Sequence, residues 1–320
     1  MCINYRASNR VIVHNKYPLP RIDELLYRLR GSNLFTKIDL RSGYHQIRVH
    51  PADVPKIVLR TRYGHFEFLV LPFGLTNTPV TFMHLMHSIF MEQLDDFIII
   101  FLDDILVYSW DLDSHMAHVR QTLEILQHHQ LYAKVSKCSF FQHQVEYLGH
   151  VVSATGLVPD PAKVCAVQEW KVPETVHEVR SFLGLARYYR RFIPHFACIA
   201  TPLTGLTQKI TPFGWSLREG EAFNSLKETL LHAPGLQLAD PTQEYIVTCD
   251  ASDFAIGAML SQCHEDGEHP MAYESQKMNA TECNYSTHER ELLAVIHVLG
   301  TWQHYLADKT FKIVIDHYSL

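Results

Sequence analysis

The chain has no long hydrophobic run. Its longest clean apolar stretch is Phe97–Leu102, against the ~18 residues that a membrane-spanning helix needs. No membrane partner is therefore expected. Residues 1–30 carry Arg and Lys throughout and contain no apolar core of a leader, so no signal peptide is read there. The seven cysteines are odd in number and include no CxxC pair. That argues against a disulfide framework and a Cys-rich zinc site, and for a reducing compartment. Repeats and low-complexity tracts are missing as well. Charged residues make up only 19% of the chain beside 47% hydrophobic ones, which argues against whole-chain disorder and leaves enough apolar surface for a sizeable core. A length of 320 residues suggests two or three domains.

What charge there is lies unevenly. The net value of -6 by itself disfavours a polyanionic partner. Residues 1–62, however, hold 12 basic and 4 acidic side chains, whereas residues 241–320 hold 4 basic and 12 acidic. A basic front, a near-neutral middle and an acidic tail read as modules with different tasks. The front suits polyanions, and equally well an ordinary solvated surface.

Breaker residues divide the chain. Ser153-Ala-Thr-Gly-Leu-Val-Pro159 is a linker, followed by Asp160 as helix N-cap and Pro161 at the first helical position. A second break runs from Ala233-Pro-Gly235 through Asp240-Pro241. The expected segments are 1–152, 153–240 and 241–320. In the first, Phe97–Leu102 and Ile105–Tyr108 are β-prone runs joined by Asp103-Asp104, which reads as a hairpin. Ser114 is read as the cap of a helix with apolar positions Val119, Leu123 and Leu126. In the second, Thr175-Val-His-Glu178 is a capping box before Val179, Phe182, Leu183 and Ala186, and that helix is expected to stop near Pro194. The third opens with a strand at Tyr245–Cys249. It continues into a helix from about Ser286 to Tyr305 with the stripe Leu292, Val295, Ile296 and Leu299.

Adjacent aspartates repel each other and gain little as a turn, but two carboxylates fixed by apolar strands make a hard-cation site. Asp39, in the strand-like run Leu34–Leu40, supplies a third carboxylate, and metal-assisted phosphoryl chemistry needs two or three of them converging from separate strands. Read singly, Asp103-Asp104 is a surface turn, and Asp39 a strand-end carboxylate paired with Lys37 or Arg41. The histidine pairs His84/His87, His115/His118 and His128/His129 lack a matching Cys or carboxylate pattern and are not read as metal sites.

Three motifs stand in the order and spacing of a known family: Asp39-Leu-Arg-Ser-Gly-Tyr-His-Gln-Ile47, Leu71-Pro-Phe-Gly-Leu-Thr-Asn-Thr-Pro79 and Phe101-Leu-Asp-Asp-Ile-Leu-Val-Tyr-Ser109. Lys134-Val-Ser-Lys-Cys-Ser-Phe-Phe141, Tyr147-Leu-Gly-His150 and Arg180–Phe192 continue the match. With them the chain resembles the reverse transcriptase/RNase H region of the pol polyprotein of gypsy-type LTR retrotransposons. The resemblance implies an α+β fold, a right-hand polymerase of fingers, palm and thumb followed by an incomplete α/β RNase H-like domain. It implies RNA-directed DNA polymerase activity by two-metal nucleotidyl transfer. Asp39 and Asp103 would be ligands of two Mg²⁺ ions per polymerase site, with Mn²⁺ as a substitute and Asp104 beside them. Tyr44 matches the residue that excludes a 2′-hydroxyl. Phe73 and Gly74 match the loop near the nucleotide and template. Lys137 matches a palm lysine, and Leu148, Gly149 and His150 match the turn at the primer end.

Arg180, Arg187, Arg190 and Arg191 would track phosphates of a near-A-form duplex; a solvated helix face is the alternative. Asp250, Glu291 and Asp316 match three carboxylates of the RNase H site. The implied partners are an RNA or DNA template–primer, deoxynucleoside triphosphates and other pol-derived domains. The implied location is a cytoplasmic virus-like particle or the nucleus. By the same resemblance, fingers residues are expected before Met1 and a fourth RNase H carboxylate after Leu320, so RNase H activity is not expected of this chain. Asn4, Thr78, Val80, Ile57–Leu59 and Tyr318 depart from the family pattern but spare every implied metal ligand. A non-catalytic remnant that at most binds nucleic acid is the competing reading.

Overall fold

The structure, a computed structural model, describes residues 3–209, 211–240 and 242–315. The chain divides into two compact units, 1–147 and 148–320. The expected segments 153–240 and 241–320 thus share one unit.

The first unit contains helices α1 (Arg6–Val11) and α2 (Ile22–Arg28), strand β1 (Leu34–Asp39), the short hairpin β2 (Leu59–Thr61) and β3 (Gly64–Phe66), helix α3 (Thr78–Ile89), strands β4 (Ile98–Phe101) and β5 (Asp104–Ser109), helix α4 (Leu112–His128), and strands β6 (Ser139–Gln142) and β7 (Gln144–Tyr147). Its main sheet is antiparallel in the order β4-β5-β1-β6. In the β1–β5 register, Ile38 faces Ile105 and Thr36 faces Val107, while Lys37 faces Leu106 and Asp39 faces Asp104. Opposed residues share a face and successive ones alternate. One face therefore carries Thr36, Ile38, Ile105 and Val107, and the other Lys37, Asp39, Leu106 and Asp104. The first packs with Phe82, Met86 and Phe90 of the α3 region and with Val119 and Leu126 of α4. Each such fully buried side chain contributes roughly 1.5–3 kcal/mol.

The hairpin differs from the expected one. The two-residue turn is Leu102-Asp103, because Phe101 pairs with Asp104 and Asp104 already belongs to β5. Leu102 adopts a left-handed φ of 54°, a conformation unfavourable for a residue with a Cβ. Its amide contacts the Met83 sulfur at 2.8 Å. The cap of α4 also differs. Asp111 is the N-cap, accepting from the Ser114 amide at 2.9 Å, so Ser114 sits inside the first turn.

The second unit comprises the hairpin β8 (His150–Ser153) and β9 (Gly156–Pro159), helices α5 (Pro161–Gln168), α6 (Val176–Tyr188), α7 (Phe196–Ile199), α8 (Thr201–Leu206) and α9 (Leu217–Leu231), strands β10 (Tyr245–Ala251), β11 (Ala255–His264) and β12 (Gly267–Lys277), helices α10 (Thr287–Thr301) and α11 (Gln303–Leu306), and strand β13 (Phe311–Ile315). Asp160 and Thr175 cap α5 and α6 as their sequences imply. The sheet runs β12-β11-β10-β13, antiparallel except for the parallel pair β10–β13. The stripe of α10 is rotated from the expected one. Glu291, Ala294, Val295 and Val298 are buried, whereas Leu292 and Ile296 are 48% and 61% exposed. A buried glutamate at i, with small and branched residues at i+3, i+4 and i+7, defines the true inner face.

Candidate functional site

The described residues place Asp39 and Asp103 on one cleft of about 620 Å³, whose walls also include Ser42, Phe73, Lys134 and Lys137. Asp39 ends β1, and three contacts fix that end. Leu40 bridges Ala133, the Asp39 carbonyl accepts from the Lys134 amide at 2.8 Å, and Gln46 donates to the carbonyls of Arg41 and Tyr132 at 2.7 and 3.0 Å. The chain after Tyr132 is thereby laid across the strand end. Lys137 follows, and its Nζ reaches Asp39 Oδ2 at 3.2 Å.

Asp104 stands opposite Asp39 on the same face of the sheet. Its carboxylate takes a different lysine: Lys37 Nζ lies 3.2 Å from Asp104 Oδ1 and 3.4 Å from the Glu146 carbonyl. Burial pushes the Asp104 carboxyl above its ordinary pKa. The Lys37 ammonium opposes that shift, and the negative charges of Asp103 and Asp39 reinforce it. From the sequence, Lys37 and Arg41 were the candidates to pair with Asp39. The partner is Lys137 instead, and Lys37 belongs to Asp104. Lys37 is the charged neighbour that the motifs did not mark; its signal was the i, i+2 spacing to Asp39, which sets both on one strand face.

Tyr44, in a one-turn 3₁₀ helix at Gly43–Gln46, is only 9% exposed. Its ring meets Phe73 edge-on at 5.0 Å and Phe82 at 5.2 Å. Burial raises its hydroxyl pKa, and the charge of Asp103 adds to the rise. Phe73 is 56% exposed at the cleft wall. Gly74 follows at φ 98°, its carbonyl held by the Asn9 side chain at 2.9 Å.

In the second unit, Leu148 and Gly149 form a turn with φ values of 47° and 68°. Tyr188 donates to the Leu148 carbonyl at 2.6 Å, Tyr189 to the Gly149 carbonyl at 2.7 Å, and His150 Nδ1 lies 2.7 Å from the Leu148 carbonyl. A Cβ on Gly149 would stand 3.3 Å from both tyrosines. The four arginines do not form one row. Arg190 pairs with Glu274 at 3.1 Å, and Arg191 donates to the Met271 carbonyl at 3.3 Å. Arg180 holds the Thr207 carbonyl at 2.8 Å, and Arg187 is exposed on α6.

Asp250 is exposed near the end of β10, and Glu291 is buried on α10, which packs against that strand. Burial first, and the Glu291 charge second, push the Cys249 thiol up to about 12. Asp316 lies outside the described residues. Among the described residues no three His, Cys, Asp or Glu side chains come together as a ready metal cage.

Comparisons with known proteins agree with this layout. The family described as reverse transcriptase (RNA-dependent DNA polymerase) matches residues 1–152, and the RNase H-like domain found in reverse transcriptase matches residues 215–313. The chain is 37% identical to the Transposon Tf2-3 polyprotein of Schizosaccharomyces pombe, aligning over 100% of its own length and 24% of that protein. It is 38% identical to the Retrovirus-related Pol polyprotein from transposon 297 of Drosophila melanogaster, over 99% of the chain and 30% of that protein. The chain thus spans less than a third of the curated relatives it matches. Its fold is that of the foamy viral protease-reverse transcriptase. The complex of that protein with RNA/DNA hybrid superimposes with a TM-score of 0.85 at 20% identity, covering 99% of this chain and 43% of the other. The complex with dsDNA gives 0.86 at 21%, covering 100% and 67%.

Proposed function

Residues 1–152 belong to the reverse transcriptases and residues 215–313 to their RNase H-like domains, the pairing found in retrotransposon Pol polyproteins, and from that premise we propose that the first unit extends a primer with deoxynucleoside triphosphates on an RNA or DNA template. The observation that carries the reading is the convergence of Asp39 and Asp103, from a strand end and a hairpin turn, on one cleft. The donor set fits a hard divalent cation, being carboxylate oxygens on backbone fixed by sheet hydrogen bonds. Two Mg²⁺ ions bound there, or Mn²⁺ in their place, would lower the pKa of the primer 3′-hydroxyl and neutralise the leaving pyrophosphate.

The chain's own residues do the rest. Asp39 and Asp103 concentrate negative charge where the cations and the transferring phosphoryl group meet. Lys137 orients Asp39 and leaves a cation at the cleft wall for phosphate oxygens. Tyr44, wedged between Phe73 and Phe82, is a rigid floor against which a 2′-hydroxyl would clash. The nucleic acids bound to the foamy viral relatives support a template–primer as the partner. Arg180 and Arg187 are exposed on α6, Arg180 holding the Thr207 carbonyl, while Arg190 and Arg191 are engaged within the unit. In the second unit, Asp250 and Glu291 on packed elements are the pair that would serve RNase H chemistry.

Primer extension with Mg²⁺ tests the polymerase. Asp103→Asn and Asp39→Asn should each lower the rate by at least ~100-fold, with primer–template binding retained. Extension that survives Asp103→Asn removes the assignment. Binding of primer–template without extension by the unaltered chain gives the non-catalytic remnant instead.

A further inference from the structure

We propose that Lys37 is a positioning residue of this polymerase centre: its ion pair with Asp104 holds that carboxylate apart from Asp39 and Asp103, so that three clustered aspartates act as a two-carboxylate metal site. The inference rests on the polymerase reading of the cleft and adds a residue that its motifs do not contain. Asp39 and Asp104 are direct partners across β1 and β5. Their Cβ atoms are therefore about 4.5–5.5 Å apart, and like charges at that spacing repel. Asp104 shares the sheet face of Asp39, so its carboxylate is a third candidate for the cations that Asp39 and Asp103 would hold.

Lys37 supplies the restraint. It is two residues from Asp39 on the same face, diagonal to Asp104, and its Nζ lies 3.2 Å from Asp104 Oδ1. The Glu146 carbonyl at 3.4 Å anchors the ammonium from its other side. Lys137 cannot substitute, because it is committed to Asp39 at 3.2 Å. Among the described residues Asp103 has no ion pair, so the three carboxylates differ: one is free, one is oriented and one is tied back.

Removing either member of the pair should move metal affinity in opposite directions. Mn²⁺ binding to the free 320-residue chain, followed by the electron paramagnetic resonance signal of unbound Mn²⁺, reads this without catalysis. Lys37→Met leaves Asp104 uncompensated and should tighten Mn²⁺ binding about tenfold. Asp104→Asn leaves Lys37 unpaired and should weaken it several-fold. The double variant should return to within about twofold of the unaltered chain. Primer extension splits the other way. In Lys37→Met, kcat at saturating metal should fall about tenfold although metal binds more tightly, and Lys37→Arg should rescue both readouts.

Unchanged Mn²⁺ affinity in a folded Lys37→Met chain overturns the proposal, as does a shift that persists in the double variant. If Lys37→Met does not fold, Lys37→Gln, which removes the charge and keeps a polar side chain, takes its place, and unchanged Mn²⁺ affinity there overturns the proposal equally. Asp39→Asn separates this from the parent reading. Loss of extension there, with Lys37→Met inert, sinks only the role of Lys37. Intact extension and Mn²⁺ binding in Asp39→Asn sink both.

Discussion

His115 is fully buried beneath the sheet and is held between two hydroxyls, Thr36 Oγ1 at 2.8 Å from Nε2 and Ser109 Oγ at 2.8 Å from Nδ1. Ser109 also meets His118 Nδ1 at 2.8 Å, and the His118 ring stacks on Phe97 at 4.1 Å. Burial first, and the neighbouring His118 second, push His115 down to about 4. His118 and His87 are lowered as well, chiefly by burial, with Asp96 and Asp111 opposing the shift at His118. A histidine near 6.5 when unfolded and about 4 when folded binds its proton only in the unfolded chain over that interval. The stabilisation is complete above about pH 6.5 and declines as pH falls toward 4, by up to about 3 kcal/mol from His115. Denaturant unfolding between pH 7.5 and 4 should show this slope, and His115→Gln should flatten part of it. A variant with the unaltered slope places the proton uptake elsewhere. Spacing alone showed the pair His115/His118. It could not show the hydroxyls, which come from β1 and β5. Tyr44 belongs to the same scale: Tyr44→Val should admit ribonucleotides, and extension that keeps the unaltered preference for deoxynucleotides would assign the sugar gate to another side chain.

At the level of elements, signals confined to a few neighbouring residues were the legible ones. Asp160 and Thr175 were readable as caps because capping satisfies amides two or three residues ahead. Ser114 misled because a serine inside the first turn resembles a cap when the true one, Asp111, stands just before the apolar pattern. The inner face of α10 was misread because a buried glutamate breaks the hydrophobic periodicity on which the reading rests. The hairpin tip was displaced by one residue because nothing in Leu102 announces a left-handed φ. Gly156, the first residue of β9, gives the clearest test at this scale. It has φ 134°, and a Cβ there would stand 2.4 Å from the Leu236 carbonyl oxygen. Both the conformation and the backbone contact reject a side chain, so Gly156→Ala should destabilise the second unit by about 2 kcal/mol or more. Gly214, with ordinary φ and open space around the site of a Cβ, should tolerate the same change. Equal unfolding midpoints for the two variants would contradict the packing at Leu236.

Over the whole molecule, the segment that looked most like a boundary is a strap. Ala233-Pro-Gly235 and Asp240-Pro241 carry the breaker residues that normally mark a linker, yet the chain between them is packed. Leu236 and Ala239 are buried, Leu236 exchanges backbone hydrogen bonds with Leu157 at 2.7 and 2.8 Å, and the Gln237 amide donates to the Pro270 carbonyl at 2.9 Å. The Gln262 side chain then holds Asp240, accepting from its amide and donating to its carbonyl at 2.8 Å each. Other contacts join the helices to the acidic sheet: Arg190 with Glu274, and the Ala197 amide with the Ser275 hydroxyl at 2.8 Å. Composition could not foresee this, since the charge shift near residue 241 suggests separate modules while hydrogen bonds and an ion pair join them. Proteases cleave backbone that can leave its hydrogen bonds locally. Limited proteolysis should therefore spare residues 233–240 and leave 148–315 uncut under conditions that cut the exposed β2–β3 hairpin. Arg190→Ala should open the strap region to earlier cutting. It removes the arginine partner of the buried Glu274 carboxylate and leaves it with His297 Nε2 at 3.5 Å, a loss of about 1–2 kcal/mol. Rapid cleavage of the unaltered chain between Ala233 and Asp240, releasing the acidic sheet from the helices, would show that the two halves of the second unit are not one packed body.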